Sequence, residues 1–309
     1  MADDKQLIYE AAPAQLERWL EDHDQPSYRL KQLLDWLYTR FAASFDDMTN
    51  LPAAMRAALA EDFVLGALRE VARRESQDGM TVKFAYRLQD GAIIESVLMG
   101  SDKRSTFCIS SQVGCAMGCT FCATGKLGLQ RNLSAGEILE QVAALARADG
   151  DEAGNVVFMG MGEPLANLGN VTAALEALTD ERRFAIGTRR ITVSTVGLPD
   201  QIRALSQLPG PPNLALSLNS PFARPRAEIM PVAGRERLDD IIEAIINLIP
   251  YNPVEGAPHD KPSPEEIERF REVLVSAGMN VTQRYRRGRD IDAACGQLAG
   301  KTGQPEQGE

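Results

Sequence analysis

The sequence predicts an α/β protein with a parallel sheet, preceded by a small helical module. Two patterns lead to this. After residue 104, short apolar strand-like runs alternate with helical stretches, the order a parallel sheet requires. Before residue 90, apolar residues recur at helical spacing and then switch to strict alternation. The length agrees, since 309 residues suit about two domains of roughly 150 residues each. With 44% apolar residues the chain can bury a sizeable core.

The helical module is read over Pro13 to His23 and Ser27 to Ala43, where Leu30, Leu33, Leu34, Leu37 and Phe41 share a face, with a third short helix after Leu51. A β-hairpin follows. Val82, Phe84, Tyr86 and Leu88 form one face of a strand after the Asp78-Gly79 turn, and Ala92 to Met99 follows Asp90-Gly91. The main body offers strands at Arg104 to Ser111, Asn155 to Met159, Arg190 to Val196, Asn213 to Leu218 and Asn247 to Tyr251. Ser134-x-x-Glu137 is a capping box opening a helix to about Ala148. Ser263-Pro264-Glu265-Glu266 is another, with Pro at the first helical position and Gly278 past the end. The expected division is an accessory domain over 1–90, a catalytic core over 91–300 and a patternless, disordered tail over 301–309. One junction is abrupt: the helix from Arg235 to Ile246 runs into Asn247-Leu248-Ile249-Pro250 without a turn signal.

Charge and composition exclude several functions. A net charge of −10 argues against gripping nucleic acid by bulk electrostatics, though a local basic face is compatible with it. No stretch approaches the ~20 apolar residues that span a bilayer. Met1 to Glu10 is acidic and has no secretory pattern, so a cytoplasmic protein is expected. With only His23 and His259, multi-histidine zinc or acid–base chemistry is disfavoured. Four of the five cysteines fall between Cys108 and Cys122, which points to a cofactor or redox chemistry.

Cys115-x-x-x-Cys119-x-x-Cys122 is the strongest motif. Three thiolates at this spacing can wrap one metal cluster, leaving one iron of a 4Fe-4S cube open to another ligand. A tetrahedral zinc site would need a fourth Cys or His close by. The spacing is the signature of radical S-adenosylmethionine (SAM) enzymes. The surrounding string Cys108-Ile-Ser-Ser-Gln-Val-Gly-Cys115-Ala-Met-Gly-Cys119-Thr-Phe-Cys122-Ala-Thr-Gly resembles the RlmN/Cfr family of radical SAM methyltransferases, which act on adenine in RNA. The resemblance extends to Arg131-Asn132-Leu133, Gly160-Met161-Gly162-Glu163-Pro164, Ser194-Thr195-Val196-Gly197, Leu216-Ser217-Leu218-Asn219, Ile249-Pro250-Tyr251-Asn252-Pro253 and Asp290 to Leu298.

That resemblance implies a partial (β/α)6 radical SAM barrel, one 4Fe-4S cluster on Cys115, Cys119 and Cys122, and two SAM molecules per turnover. Gly162, Glu163, Ser194, Ser217, Leu218, Asn219 and Asn252 would bind SAM, each at or just after a strand end. Cys295 would be methylated by the first SAM, the sulfonium methyl going to its thiolate. A radical made from the second SAM would take hydrogen from that methyl, whose carbon then adds to adenine. Cys108 would attack the Cys295 sulfur, releasing the base and forming a transient disulfide. Glu95 matches the base that removes the ring proton; without the family it reads as a solvated strand carboxylate. Arg284, Arg286, Arg287 and Arg289 are favoured for phosphate contact, and Arg182, Arg183, Arg189 and Arg190 are a weaker candidate. Trp36 and Tyr38 read as core.

The implied reaction is methylation of adenine C2 in 23S rRNA and tRNA by a monomer, with flavodoxin or ferredoxin as electron donor. The C8-methylating branch shares the cysteines and mechanism, and C2 rests on the closeness of the overall match. The family also carries a strand-and-helix unit of roughly 40 residues at the abrupt junction after Ile246. Its absence here leaves five core strands expected, and an inactive RNA-binding remnant as a further alternative.

Overall fold

The computed structural model describes residues 5–101, 104–150, 154–220, 223–234, 246–248, 263–276 and 281–283. The N-terminal module contains β1 (Gln6–Leu7), α1 (Pro13–Asp22), α2 (Tyr28–Tyr38), α3 (Ala53–Asp62) and β2 (Phe63–Val64). Three antiparallel strands follow: β3 (Arg69–Glu75), β4 (Thr81–Arg87) and β5 (Ile93–Met99). Then come β6 (Thr106–Cys108), β7 (Gln112–Gly114), α4 (Ala123–Lys126), β8 (Leu129–Asn132), α5 (Ala135–Asp149) and β9 (Asn155–Phe158). The rest comprises α6 (Leu168–Thr179), β10 (Ile191–Thr195), α7 (Pro199–Ser206), β11 (Asn213–Leu216), α8 (Ala223–Ile229), β12 (Ile246–Leu248), α9 (Pro264–Ser276) and β13 (Val281–Gln283).

Among the described residues one nine-stranded sheet organises the molecule, in the order β13-β12-β11-β10-β9-β6-β5-β4-β3. From β6 to β13 every neighbour is parallel, and from β6 back to β3 every neighbour is antiparallel. The expected α/β class with a parallel sheet is therefore what forms. The hairpin is part of the same sheet: β4 and β5, on either side of residue 90, pair along their whole lengths. A third strand, β3, covers the outer edge, where Arg69, Arg73 and Arg74 suit an exposed position.

Six parallel strands are present where five were expected. Val281–Gln283 supplies the additional one, pairing in parallel with β12 at Ile246↔Val281, Asn247↔Thr282 and Leu248↔Gln283. The abrupt junction remains visible in the register, because β12 meets β11 at one position, Leu216↔Ile246. Helix α2 is shorter than expected and ends at Tyr38. Phe41 adopts φ +50° and is buried, its ring 6.3 Å from that of Phe184. Burying that ring requires the chain to leave the helix before Phe41. The tail over 301–309 lies outside the described residues.

Helix α5 is the central support. Its capping box is complete, with Glu137 N–H donating to Ser134 Oγ (3.2 Å) and Ser134 N–H to Glu137 Oε2 (2.9 Å). Gly150 closes it at φ +76°. On one side Gln141 meets the sheet, accepting from Ser96 Oγ and Ser110 N–H, both at 2.8 Å. On the other, Gly136 lets β1 and its following turn approach: a Cβ there would stand 2.7 Å from Leu7 Cβ. The helical module and the sheet consequently share one continuous apolar core, from Ile8 to Leu205.

A carboxyl is buried at this joint. Glu140 Oε1 accepts from the backbone N–H of Gly66 (2.5 Å) and Ala67 (2.9 Å). Burial pushes its pKa up to about 7 against these stabilising donors. A carboxyl raised above its unfolded value binds its proton better when folded. It therefore favours folding below about pH 4.5, an advantage lost as pH rises through about 7. Glu140→Gln keeps an acceptor for both N–H groups and removes the titration. Denaturant unfolding should show the parent losing on the order of 3 kcal/mol more than Glu140→Gln between pH 5 and pH 8.

Candidate active site

The cysteine loop hangs from the small β7–β8 ribbon. Its base is tight because Gly114, at φ +76°, lies against the Gly128 carbonyl, where a Cβ has no space. Cys115 N–H donates to that same carbonyl (3.0 Å). Gly125 packs on the Cys119 backbone, with 3.0 Å left for a Cβ. Thr120 N–H reaches Ile229 O (3.0 Å), and Cys119 packs with Val196 and Met230, so the segment after α8 braces the loop.

Cys115 and Cys119 are buried, Cys122 is partly open, and all three are free thiols. Burial pushes the Cys115 thiol up to about 11 and that of Cys119 to about 12; neighbouring sulfurs and Glu163 push the same way. The sulfurs thus feel one another. Among the described residues, no three Cys, His, Asp or Glu side chains already surround a point for a single ion. Three thiols on one loop are the donor set for a cluster in which each thiolate takes a different iron. A cationic cluster also supplies the charge that brings raised thiols to thiolates.

The segment 109–112 crosses the end of β9 at close range. Ser111 N–H and Gln112 N–H both donate to Met161 O (2.9 and 3.2 Å), and Met161 N–H donates to Ser110 Oγ (2.8 Å). A Cβ on Gly160 would lie 2.7 Å from Ile109 C and O. One on Gly162, at φ +101°, would lie 2.6 Å from Gln112 Cβ. These glycines leave room for the protein's own chain, a demand that stands beside the SAM contact the resemblance implies for Gly162.

Glu163 is buried and heavily used within the protein. Its Oε1 accepts from Leu165 N–H (3.1 Å) and its Oε2 from Val196 N–H (2.9 Å), while its own N–H donates to Gln112 Oε1 (2.8 Å). Burial pushes its pKa up to about 7 against these donors and the Thr195 hydroxyl. The carboxylate therefore ties the ends of β9 and β10 together. At the next strand ends, Ser194 Oγ and Ser217 Oγ are 3.2 Å apart. Asn219, at φ +58°, donates Nδ2 to Ser217 O (3.2 Å) and approaches Met230 Sδ (2.9 Å). Leu218 is buried, and its carbonyl accepts from Arg226 Nε (3.2 Å).

Cys108 ends β6, opposite Val97 of β5 and beside Val157 of β9. Carrying that register two residues on sets Ser110 beside Glu95, and Ser110 Oγ donates to Glu95 O (2.6 Å). Cys108 and Glu95 thus lie on one face of the sheet, near the 160–163 turn. Glu95 is no solvated carboxylate: only 1% exposed, it pairs with Lys83 at 3.4 Å. Asn252, Cys295 and the arginines at 284, 286, 287 and 289 lie outside the described residues, as does His259. In the weaker arginine group, Arg183 pairs with Asp180 (3.1 Å) and Arg190 donates to Gly154 O. Tyr38 is core as expected; Trp36 is partly buried, its Nε1 bonded to Asn50 Oδ1.

Sequence reasoning did not assign Lys83, Gln112 or Arg226. Arg226 is fully buried and also donates to Val196 O, joining the chain after β10 to the chain after β11. The available signal for Lys83 was a cation in the middle of a strand whose other face is apolar.

Residues 109–280 match the radical SAM superfamily, and residues 8–65 match the ribosomal RNA large subunit methyltransferase N-terminal domain. The chain is 41% identical to the "probable dual-specificity RNA methyltransferase RlmN" of Rhodopirellula baltica, over 94% of this chain and 90% of that protein. The chain belongs to the RlmN family of radical SAM proteins. The dual-specificity RNA methyltransferase RlmN of Nitratidesulfovibrio vulgaris is 40% identical over 96% of this chain and 95% of its own. That aligned span is 350 residues, longer than this chain, so the relative holds residues inside the matched region that are absent here. A solved radical SAM methyltransferase from Sphaerobacter thermophilus superposes with TM-score 0.89 at 38% identity, covering 96% of this chain and 99% of its own.

Two outcomes follow from this geometry. Replacing Cys115, Cys119 or Cys122 by Ala should remove most iron from anaerobically reconstituted protein; unchanged iron by colorimetric assay counts against the ligand set. Gly162→Ala should lower stability by about 2–4 kcal/mol, from the positive φ and the Gln112 clash together, as read by denaturant unfolding.

Proposed function

We propose that this chain is a radical SAM methyltransferase that methylates C2 of adenine in 23S rRNA and tRNA. What supports it foremost is the shared face of Cys108 and Glu95 beside the 160–163 turn, with the cysteine loop following directly in the chain. Cys115, Cys119 and Cys122 would hold one 4Fe-4S cluster. Gly162, Glu163, Ser194, Ser217, Leu218 and Asn219, with Asn252, would form the SAM pocket. Given its two bonds to backbone N–H, the Glu163 carboxylate shapes that pocket by fixing the β10 end. The cluster with SAM supplies the hydrogen-abstracting radical, and the remaining roles fall to side chains.

Cys295, as thiolate, accepts the first methyl group. Once that carbon is bonded to adenine, one electron would pass from the ring adduct back to the cluster, and the Glu95 carboxylate takes the ring proton, the C–H pair restoring the aromatic ring. The Cys108 thiolate then bonds to the Cys295 sulfur; the carbon–sulfur pair leaves with the carbon, which takes a proton from Glu95 and is freed as the methyl group of the RNA. Two SAM molecules serve each turnover, and a flavodoxin or ferredoxin supplies electrons. The protein works as a cytoplasmic monomer, with residues 1–90 assisting the core over 91–300 in RNA engagement. No helix among the described residues is long and apolar enough to cross a membrane.

The test is anaerobic reconstitution with dithionite, labelled SAM and 23S rRNA fragments or tRNA, with mass spectrometry of the digested adenosine. 2-Methyladenosine is expected; 8-methyladenosine or an unlabelled product would overturn the reading. Cys108→Ala should accumulate RNA covalently bound to protein, since nothing resolves the adduct. Cys295→Ala should retain iron but take up no methyl label. Persistent turnover without trapped RNA in Cys108→Ala would remove Cys108 from the reaction.

A further inference from the structure

A lysine and a glutamate almost never share a dry interior without a reason, because removing two charges from water is costly unless they pair closely. Lys83 and Glu95 do so on adjacent strands. Lys83 is 3% exposed, Glu95 is 1% exposed, and Nζ lies 3.4 Å from Oε1. The β4–β5 register sets Lys83 opposite Val97 and Ala85 opposite Glu95, so the pair is a diagonal contact on one face. That face is opposite to the one covered by α5, since the intervening Ser96 bonds Gln141 of that helix. It is also the face of Cys108, which lies opposite Val97 on β6.

We infer that Lys83 is a positioning residue for Glu95, holding its carboxylate in one place, aimed for removal of the adenine ring proton. This rests on Glu95 being that base. Two further contacts fix the same strand: Ser110 Oγ donates to Glu95 O (2.6 Å) and in turn accepts from Met161 N–H (2.8 Å). The Glu95 backbone is thereby tied to the turn that carries Gly162 and Glu163. The ammonium holds the other end of the residue, its side chain. The ion pair takes away the rotamer freedom of that carboxylate without Lys83 itself touching RNA.

Full-length Lys83→Met, Lys83→Arg and Glu95→Gln are compared with the parent. The first readout needs neither cluster nor RNA: the 13C carboxyl signal of Glu95 in glutamate-labelled protein, assigned by its loss in Glu95→Gln. It should hold one position in the parent and Lys83→Arg, and move in Lys83→Met, where the ion pair is gone. The second readout is release of methylated RNA by reconstituted enzyme. Lys83→Met should release about tenfold less or worse, accumulate RNA-bound protein, and still load a methyl group onto the protein. Lys83→Arg should recover most of the release. If Lys83→Met does not melt cooperatively, Lys83→Gln replaces it, removing the charge while keeping a donor.

An unmoved Glu95 signal in the neutral variant overturns the inference, as does unchanged release or a Lys83→Arg variant no better than Lys83→Met. If the signal moves but Glu95→Gln itself neither slows release nor traps RNA, it is the assignment of Glu95 as base that fails.

Discussion

The crossing of residues 109–112 over residues 160–163 is the contact on which the site depends. Two strand ends approach so closely that backbone N–H groups of Ser111 and Gln112 share the Met161 carbonyl. Side chains on Gly160 or Gly162 would collide with the facing backbone and with Gln112. From this contact one chain of hydrogen bonds runs through Gln112 to Glu163 and on to Val196, linking β6, β9 and β10 at the same end of the sheet. Cys108 lies just before the crossing and Cys115 just after it. Its geometry therefore positions both the cysteine loop and the face that carries Glu95.

Three of the four buried carboxylates among the described residues meet two structural demands. Glu140 satisfies the N–H groups of Gly66 and Ala67 where the helical module joins the core. Glu163 performs the same service at Leu165 and Val196, in the middle of the candidate site. Glu95 instead meets an ammonium. The difference is physical: a carboxylate bonded to neutral N–H groups keeps the full burial penalty on its charge and is pushed toward neutrality, as Glu140 and Glu163 are. A carboxylate meeting a cation has that penalty offset. Of the three, the carboxylate with a cationic partner is also the one whose proposed role is to accept a proton.

Strands β12 and β13 form one margin of the sheet. Parallel pairing continues through β12 to β13, although β12 meets β11 at a single register position. The strand ends carrying Ser194, Ser217 and Asn219 are braced independently of it. Arg226 spans the carbonyls of Val196 and Leu218, and Met230 packs against Cys119 and Asn219. Those contacts come from the segment just after β11, ahead of β12.

By itself the sequence determined the α/β class, the cysteine spacing, both capping boxes and the set of residues at strand ends, because these are properties of short stretches. A capping box needs three consecutive steps, and a three-cysteine loop needs eight residues. It also carried the family resemblance, which supplied Cys108 and Glu95 as candidates. Only the tertiary structure decided what depends on two distant segments meeting. Val281–Gln283 is too short to stand out as a strand until β12 offers it a partner. The glycines of the 160–163 turn show their steric necessity once the 109–112 segment is seen to fill the space they leave. On an alternating strand Glu95 reads as solvated and Lys83 attracts no role, since alternation marks one buried face and says nothing about a second. Pairing of β4 with β5 brought them together as a buried ion pair.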